Sequence, residues 1–266
     1  MLGAIIGDIA GSRFEWYNTK KKDFQFFHDA CRFTDDTVLS LAIGQSVLEA
    51  ENNPAALGPA AVTNMQMLGC LFPQAGYGRH FIRWLTSLNP QPYNSFGNGA
   101  AMRVSACGTA ARSAEEAKAM SRAVTEVTHS HPEGLKGAEV VAVAVFMARN
   151  GASKEDIRAV TVHDYYPLDF TLNGIRDSYE FDVTCQGSVP QAFEAFFEST
   201  DFEDSIRNAV SIGGDSDTIA AIAGSIAEEF YGIPSAIRTQ AVGRLPNTLL
   251  DILMAFEERY PPKIAD

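Results

Sequence analysis

Thr218-Ile219-Ala220-Ala221-Ile222-Ala223-Gly224-Ser225-Ile226-Ala227-Glu228-Glu229-Phe230 is the stretch that decides the fold. Its apolar residues Ile219, Ile222, Ala223, Ile226 and Phe230 fall at i, i+3, i+4, i+7 and i+11, the spacing that collects side chains on one face of a helix. The same alanine-rich periodicity predicts helices over Asp36–Ala50, Ala55–Leu71, Ala114–Val127, Gly134–Arg149, Val189–Phe197, Phe202–Val210 and Leu249–Glu258. Breakers separate these segments: Asn52-Asn53-Pro54, Pro73 through Gly78, Asn89-Pro90-Gln91-Pro92, His131-Pro132, Gly151, and Gly232 to Pro234. The stretch Asp164–Ser188 is the least helical and reads as a long loop or a short hairpin. No comparable set of alternating strands and no low-complexity linker occurs. The expectation is therefore an all-α fold, a compact helical bundle, with residues 1–266 as a single domain.

With 46% hydrophobic and 20% charged residues, the chain has the make-up of an ordinary globular protein. Its formal charge of −12 leaves no basic surface of the kind that binds a phosphate backbone, so extended nucleic acid is not an expected partner. The same acidity suits sites that gather divalent cations. The opening Met1–Gly11 has no basic lead, is interrupted by glycines and carries Asp8, unlike a signal peptide or an anchor. The longest uninterrupted apolar run, Val140–Ala148, falls short of the roughly 20 residues that span a bilayer. A cytoplasmic protein without membrane contact is expected. Cys31, Cys70, Cys107 and Cys185 are scattered without metal or redox spacing and read as buried thiols.

Two acidic clusters stand at predicted helix starts, Thr34-Asp35-Asp36-Thr37 and Gly213-Gly214-Asp215-Ser216-Asp217-Thr218. The two helices open alike, since Asp36-Thr37-Val38-Leu39-Ser40-Leu41-Ala42 matches Asp217-Thr218-Ile219-Ala220-Ala221-Ile222-Ala223 in pattern. Helix capping accounts for one acidic or hydroxyl side chain per start, whereas each start carries two carboxylates within three residues. Carboxylates ~4 Å apart repel by ~4 kcal/mol at an effective dielectric of about 20, more than the ~1 kcal/mol of a cap. A cation removes that conflict, and oxygen donors without imidazole or thiolate point to magnesium, manganese or calcium rather than zinc. The spacing is not that of an EF-hand loop. If both starts converge, their carboxylates and threonine hydroxyls can hold a pair of metals that orients substrate oxygens and activates water.

Other motifs are weaker alone. Gly3, Gly7 and Gly11 line one helix face, as close helix packing requires, and Glu15 beyond them is either a solvated turn residue or a catalytic carboxylate. Asn94-Ser95-Phe96-Gly97-Asn98-Gly99 is a turn opening an apolar helix, and Gly76-Tyr77-Gly78-Arg79 is a second glycine loop. Backbone amides in either can receive a phosphate, though ordinary loops look similar. His129 and His131 beside Pro132 read as a polar helix end, with stacking on a base as the functional alternative.

In chain order, Gly3–Glu15, Phe33–Leu39, Gly76–Gly78, Ser95–Val104, Thr128–His129 and Gly213–Gly224 together resemble the ADP-ribosylglycohydrolase family, which includes the dinitrogenase reductase-activating glycohydrolases. The pairing of Thr34-Asp35-Asp36 with Gly214-Asp215-Ser216-Asp217-Thr218 is the specific part. The resemblance implies an all-α fold and a binuclear magnesium or manganese centre with Thr34, Asp35, Asp36, Asp215, Asp217 and Thr218 as ligands. It implies that two Mg2+ or Mn2+ ions hold the 2′ and 3′ hydroxyls of the distal ribose and a water. It makes Glu15 an acid or base beside Asp35, Asp36, Asp215 and Asp217. Ser95, Phe96, Asn98 and Gly99 would line the diphosphate and adenosine groove, Gly76, Tyr77 and Gly78 would cover the diphosphate, and His129 would lie on the adenine side. The implied reaction is hydrolysis of the N- or O-glycosidic bond between ADP-ribose and an ADP-ribosylated protein or a small conjugate, through an oxocarbenium-like transition state.

Members acting on ADP-ribosyl-arginine commonly carry an extra acidic residue between the two halves of the site, but no Asp or Glu occurs from Asn52 to Ala114. The acceptor thus stays open among arginine, hydroxyl and small-molecule conjugates. Two rival readings are a non-catalytic ADP-ribose binder and a metal-dependent phosphohydrolase, whose D-x-D motif is similar to Asp215-Ser216-Asp217 but follows a buried strand.

Overall fold

The computed structural model describes residues 1–51 and 53–265. Among the described residues the fourteen α-helices are α1 (Leu2–Gly11), α2 (Asp35–Ala50), α3 (Pro54–Leu71), α4 (Arg79–Leu85), α5 (Ser105–Ala110), α6 (Ala114–Thr125), α7 (Pro132–Arg149), α8 (Lys154–Asp164), α9 (Leu172–Ile175), α10 (Cys185–Phe197), α11 (Phe202–Ser211), α12 (Ser216–Tyr231), α13 (Ser235–Val242) and α14 (Asn247–Arg259). Strand structure among the described residues amounts to one parallel pair, Ile233–Pro234 with Ile264–Ala265, and an isolated bridge between Gly97 and Thr184. The fold is all-α, as the periodicity predicts.

Two helices form the centre because their sequences leave no polar face to give to water. All 10 residues of α1 are buried, and so is every residue of α12 from Ser216 to Glu229, as expected for helices apolar on most of their circumference. They meet backbone to backbone. A Cβ built on Gly3 would lie 2.1 Å from the Gly224 carbonyl oxygen, one on Gly7 2.1 Å from that of Ala220, and one on Gly11 2.6 Å from Asp217 Cα. The glycine stripe therefore sets how near Asp8 and the start of α12 approach one another. Around this pair, α11, α10 and α7 pack on α12, and α2 links α1 to α3, α5 and α14. Their buried apolar side chains form one continuous cluster.

Several starts carry the caps that their sequences promise. Ser153 and Asp156 make a reciprocal capping box on α8, Asp201 caps α11, and His131 caps α7 by accepting from the Glu133 amide. Three expectations change. The stretch before Ser188 holds the short α9 and no hairpin; its end pairs with Gly97 instead. Helix α10 begins at Cys185, four residues before Val189, because Thr184 accepts from the Gly187 amide and continues the helix through Pro190. Cys70 is exposed on α3, so only Cys31, Cys107 and Cys185 are buried thiols. Asn52, in the predicted break before α3, lies outside the described residues. Among the described residues no helix is long and apolar enough to cross a membrane.

Candidate active site

The starts of α2 and α12 converge on one cavity of about 500 Å³. Capping occupies few of their carboxylate oxygens, the one first-turn amide bond at α12 being from Thr218 N to Asp217 Oδ1 at 3.1 Å. At α2 the cap is Thr34, whose side chain accepts from the Asp36 amide, so Asp35 and Asp36 are spare. At α12 the Asp215 side chain makes no cap bond and accepts instead from Asn98 Nδ2 at 2.7 Å. Thr218 Oγ1 donates to Asp36 Oδ2 at 3.2 Å and ties the two starts together. The other Asp36 oxygen, Oδ1, is buried without a partner. An orphaned, buried anionic oxygen is costly unless something cationic meets it.

Asp8 supports this arrangement from α1. Its fully buried carboxylate accepts from the Thr34 amide at 2.8 Å, Thr34 Oγ1 at 2.8 Å and the Thr37 amide at 3.1 Å, and also from Thr37 Oγ1. A lone buried carboxylate costs several kcal/mol, and these donors offset it while fixing the register of α2 against α1. The Thr34 hydroxyl thus donates its proton to Asp8 and keeps a lone pair for a further partner, while Thr34 sits just behind the residues that line the cavity.

Glu15 comes from the turn after α1 and is half-buried. One oxygen each of Glu15, Asp215 and Asp217 lie within 4.8 Å of one another, a grouping able to hold a metal ion. Asn18 holds the turn in place. Its Nδ2 donates to the carbonyls of Phe14 at 2.6 Å, Glu15 at 3.1 Å and Gly214 at 2.9 Å, while its Oδ1 accepts from the Gly214 amide at 2.8 Å. Lys20 adds bonds to the Tyr179 and Ile212 carbonyls at 2.8 and 2.6 Å. Gly213 and Gly214 both need glycine here, with φ of 74° and 73°.

Burial, helped at most positions by neighbouring carboxylates, raises the pKa of every member. Burial, with Asp8 next, pushes Asp35 up to about 8, and burial with Asp215 pushes Glu15 up to about 7. Burial first and neighbouring carboxylates second drive Asp36 and Asp217 well above the ordinary carboxylate range, and burial also raises Asp215. Burial lifts Asp8 to about 6 against its donors. Buried carboxylates forced toward protonation, one with an orphaned oxygen, are the donor set that a hard divalent cation fits.

Of the residues singled out from sequence, Glu15, Asp35, Asp36, Asp215, Asp217, Thr218, Gly76, Gly78, Ser95, Asn98, Gly99 and His129 line the cavity. Tyr77 is buried behind it, 5.6 Å from the Phe81 ring, and Phe96 turns outward onto His131 at 5.2 Å. Gly76 has φ 117°, and a Cβ there would come within 3.1 Å of Asp35 Oδ1. The structure adds residues that the motifs do not disclose: Asp8, Asn18, Arg103, and the stacked rings of Trp16 and Phe181, 5.3 Å apart on the cavity rim. Asp8 had a signal, an acid inside a helix otherwise without charge. Trp16 and Phe181 had none, because their meeting depends on how distant loops fold.

The motif Asp215-Ser216-Asp217 follows α11 and a Gly-Gly turn rather than a strand, which removes the structural context of a D-x-D phosphohydrolase. A family model described as ADP-ribosylglycohydrolase matches residues 1–262. The chain belongs to the ADP-ribosylglycohydrolase family. Membership makes it an enzyme of the glycosidic-bond hydrolase type. Relatives include human ADP-ribosylhydrolase ARH3, 24% identical over 88% of this chain and 84% of its own length. ADP-ribosylarginine hydrolase Tri1 of Pseudomonas putida is 25% identical, over 88% of this chain and 70% of its own. Among solved structures, an ADP-ribosylglycohydrolase-related protein complex superposes with a TM-score of 0.68 and 23% identity, covering 97% of this chain and 95% of that one. That likeness supports the fold alone.

Proposed function

We propose that the whole chain acts as one catalytic domain that hydrolyses the N- or O-glycosidic bond joining ADP-ribose to an acceptor, using two divalent cations, Mg2+ or Mn2+. The observation that carries this reading is the convergence of uncapped, buried carboxylates from two helix starts on one cavity, with Asp36 Oδ1 left without a partner. Thr34, Asp35, Asp36, Asp215, Asp217 and Thr218 are the proposed ligands; the Thr34 hydroxyl donates its proton to Asp8 and keeps a lone pair for a cation. Cations bound there supply Lewis acidity toward the ribose hydroxyls and the attacking water.

The chain's own residues then do the following. Glycine-lined backbone at Gly76 and Gly78, with Ser95, Gly97, Asn98 and Gly99, receives the diphosphate and adenosine, and His129 contacts the adenosine side. The anomeric carbon lies near Glu15, where water oxygen bonds to carbon and the bond to the acceptor nitrogen or oxygen breaks, its electron pair leaving with the acceptor. One water proton ends on the acceptor atom. Glu15, a half-buried carboxyl beside Asp215 and Asp217, is placed to carry that proton. The carboxylates stabilise positive charge on the ribose as the bond lengthens.

The acceptor is not chosen by the relatives, since one named for arginine and one that is not match about equally. Release of ADP-ribose from arginine-linked, serine-linked and O-acetyl conjugates, each with Mg2+, Mn2+ or a chelator, tests the reading. We expect metal-dependent release from at least one conjugate. Binding of ADP-ribose with no release from any would favour the non-catalytic binder.

A further inference from the structure

Beyond the carboxylate cluster, the cavity wall holds a buried cation with no acid to match it. Arg103 is fully buried, makes no ion pair among the described residues, and leaves Nε and Nη1 without protein partners. Its Nη2 donates to Thr128 Oγ1 at 2.7 Å and, at 3.5 Å, to the Val124 carbonyl. Thr128 Oγ1 is in turn 2.7 Å from His129 Nδ1.

The single hydroxyl proton of Thr128 has two destinations. One is the Thr125 carbonyl at 3.3 Å, which already accepts from the amides of His129 at 2.8 Å and Thr128 at 3.1 Å. The other is His129 Nδ1, closer and otherwise unsatisfied. An oxygen that accepts from a guanidinium becomes a stronger donor, which sends the proton toward the imidazole. His129 Nδ1 is then an acceptor, and the ring hydrogen sits on Nε2.

Nε2 faces the Gly97–Gly99 turn, 3.6 Å from where a Cβ on Gly97 would be and 3.7 Å from one on Gly99, and finds no protein partner among the described residues. His129 lines the cavity. We propose that Arg103 and Thr128 are positioning residues that lock His129 as the neutral Nε2–H tautomer, so that it presents a fixed hydrogen-bond donor to an acceptor atom of the bound ligand. That ligand is ADP-ribose if the preceding reading holds. The groups around the ring agree. Arg103 repels an imidazolium, and together with burial, the larger cause, it holds His129 well below the ordinary histidine range. Tyr93, with its ring 5.9 Å away, is raised to about 12 and is neutral, and His131 is engaged as the cap of α7.

Long-range proton–nitrogen NMR on protein labelled with 15N-histidine, without ligand, reads the tautomer directly. The expected result is an acceptor-type shift at Nδ1 and a protonated shift at Nε2 for His129 at about pH 7. Thr128→Val removes the hydroxyl at nearly constant volume and is expected to mix the tautomers and weaken ADP-ribose binding roughly tenfold by calorimetry, while Thr128→Ser restores both. An Nδ1–H tautomer in the parent protein, a protonated ring at about pH 7, or an unchanged tautomer in Thr128→Val would overturn the relay. A locked tautomer in a protein without ADP-ribose affinity would uphold the relay and count against the ligand reading.

Discussion

At the scale of single residues, the site depends on where buried charge finds partners. Asp8 is satisfied by Thr34 and Thr37, so Asp8→Asn turns part of an acceptor into a donor facing donors. It is expected to lower stability by ~2 kcal/mol in urea unfolding; an unchanged midpoint would show that Asp8 does not tie α1 to α2. Asp8 could be noticed in the sequence as the lone acid in Leu2–Gly11, but its partners could not, because Thr34 and Thr37 also fit as ordinary residues at the start of their own helix. The same limit applies to Thr34, whose motif suggests a ligand but does not reveal that its hydroxyl also donates to Asp8.

At the scale of elements, close backbone approach and one clamp do the positioning. Gly7 has no room for a methyl group against Ala220, whereas Gly78 has nothing within 4 Å. Gly7→Ala should cost ~3 kcal/mol by forcing α1 from α12, and Gly78→Ala less than ~0.5 kcal/mol. Equal melting temperatures for the two variants would contradict the packing account. Asn18→Ala frees the Glu15 turn from Gly214 and is expected to lower kcat roughly tenfold to hundredfold with ADP-ribose affinity unchanged; a loss confined to affinity would place Asn18 elsewhere in the cycle. Periodicity reveals the long helices because each gives one face to the core. It passes over α8, whose surface is largely polar, although the Ser153-x-x-Asp156 capping signal marks its start. It also passes over α4, α5 and α13, of 7, 6 and 8 residues, too short for a face to repeat.

At the scale of the whole molecule, folding gathers more negative charge than a metal-free protein accommodates well. Asp35 and Asp8, raised to about 8 and about 6, and Asp36 and Asp217, also raised by burial and neighbouring carboxylates, bind protons more tightly folded than unfolded. The sign follows: in chelator, stability is greatest below about pH 4 as far as these groups are concerned and falls as pH rises toward about 8. Divalent cation should reverse that fall, raising the melting temperature more at about pH 8 than at about pH 5; a shift independent of pH would separate metal binding from these carboxylates. The two acidic helix starts are legible in the sequence as a repeated device. Their convergence, and the meeting of Trp16 with Phe181, are products of the packing of α1 on α12 and of loops that no local pattern relates.

If this carboxylate cluster is a divalent-cation centre for glycosidic hydrolysis, ion binding and turnover must rise and fall together. The most direct test returns Mn2+ stepwise to chelator-treated protein while spin resonance counts bound ions and the same samples are assayed for ADP-ribose release. Two ions bound per chain are expected, with release that rises as they bind and loss of both in Asp217→Asn. Full release in chelator, or full activity of Asp217→Asn, would contradict the divalent-cation centre.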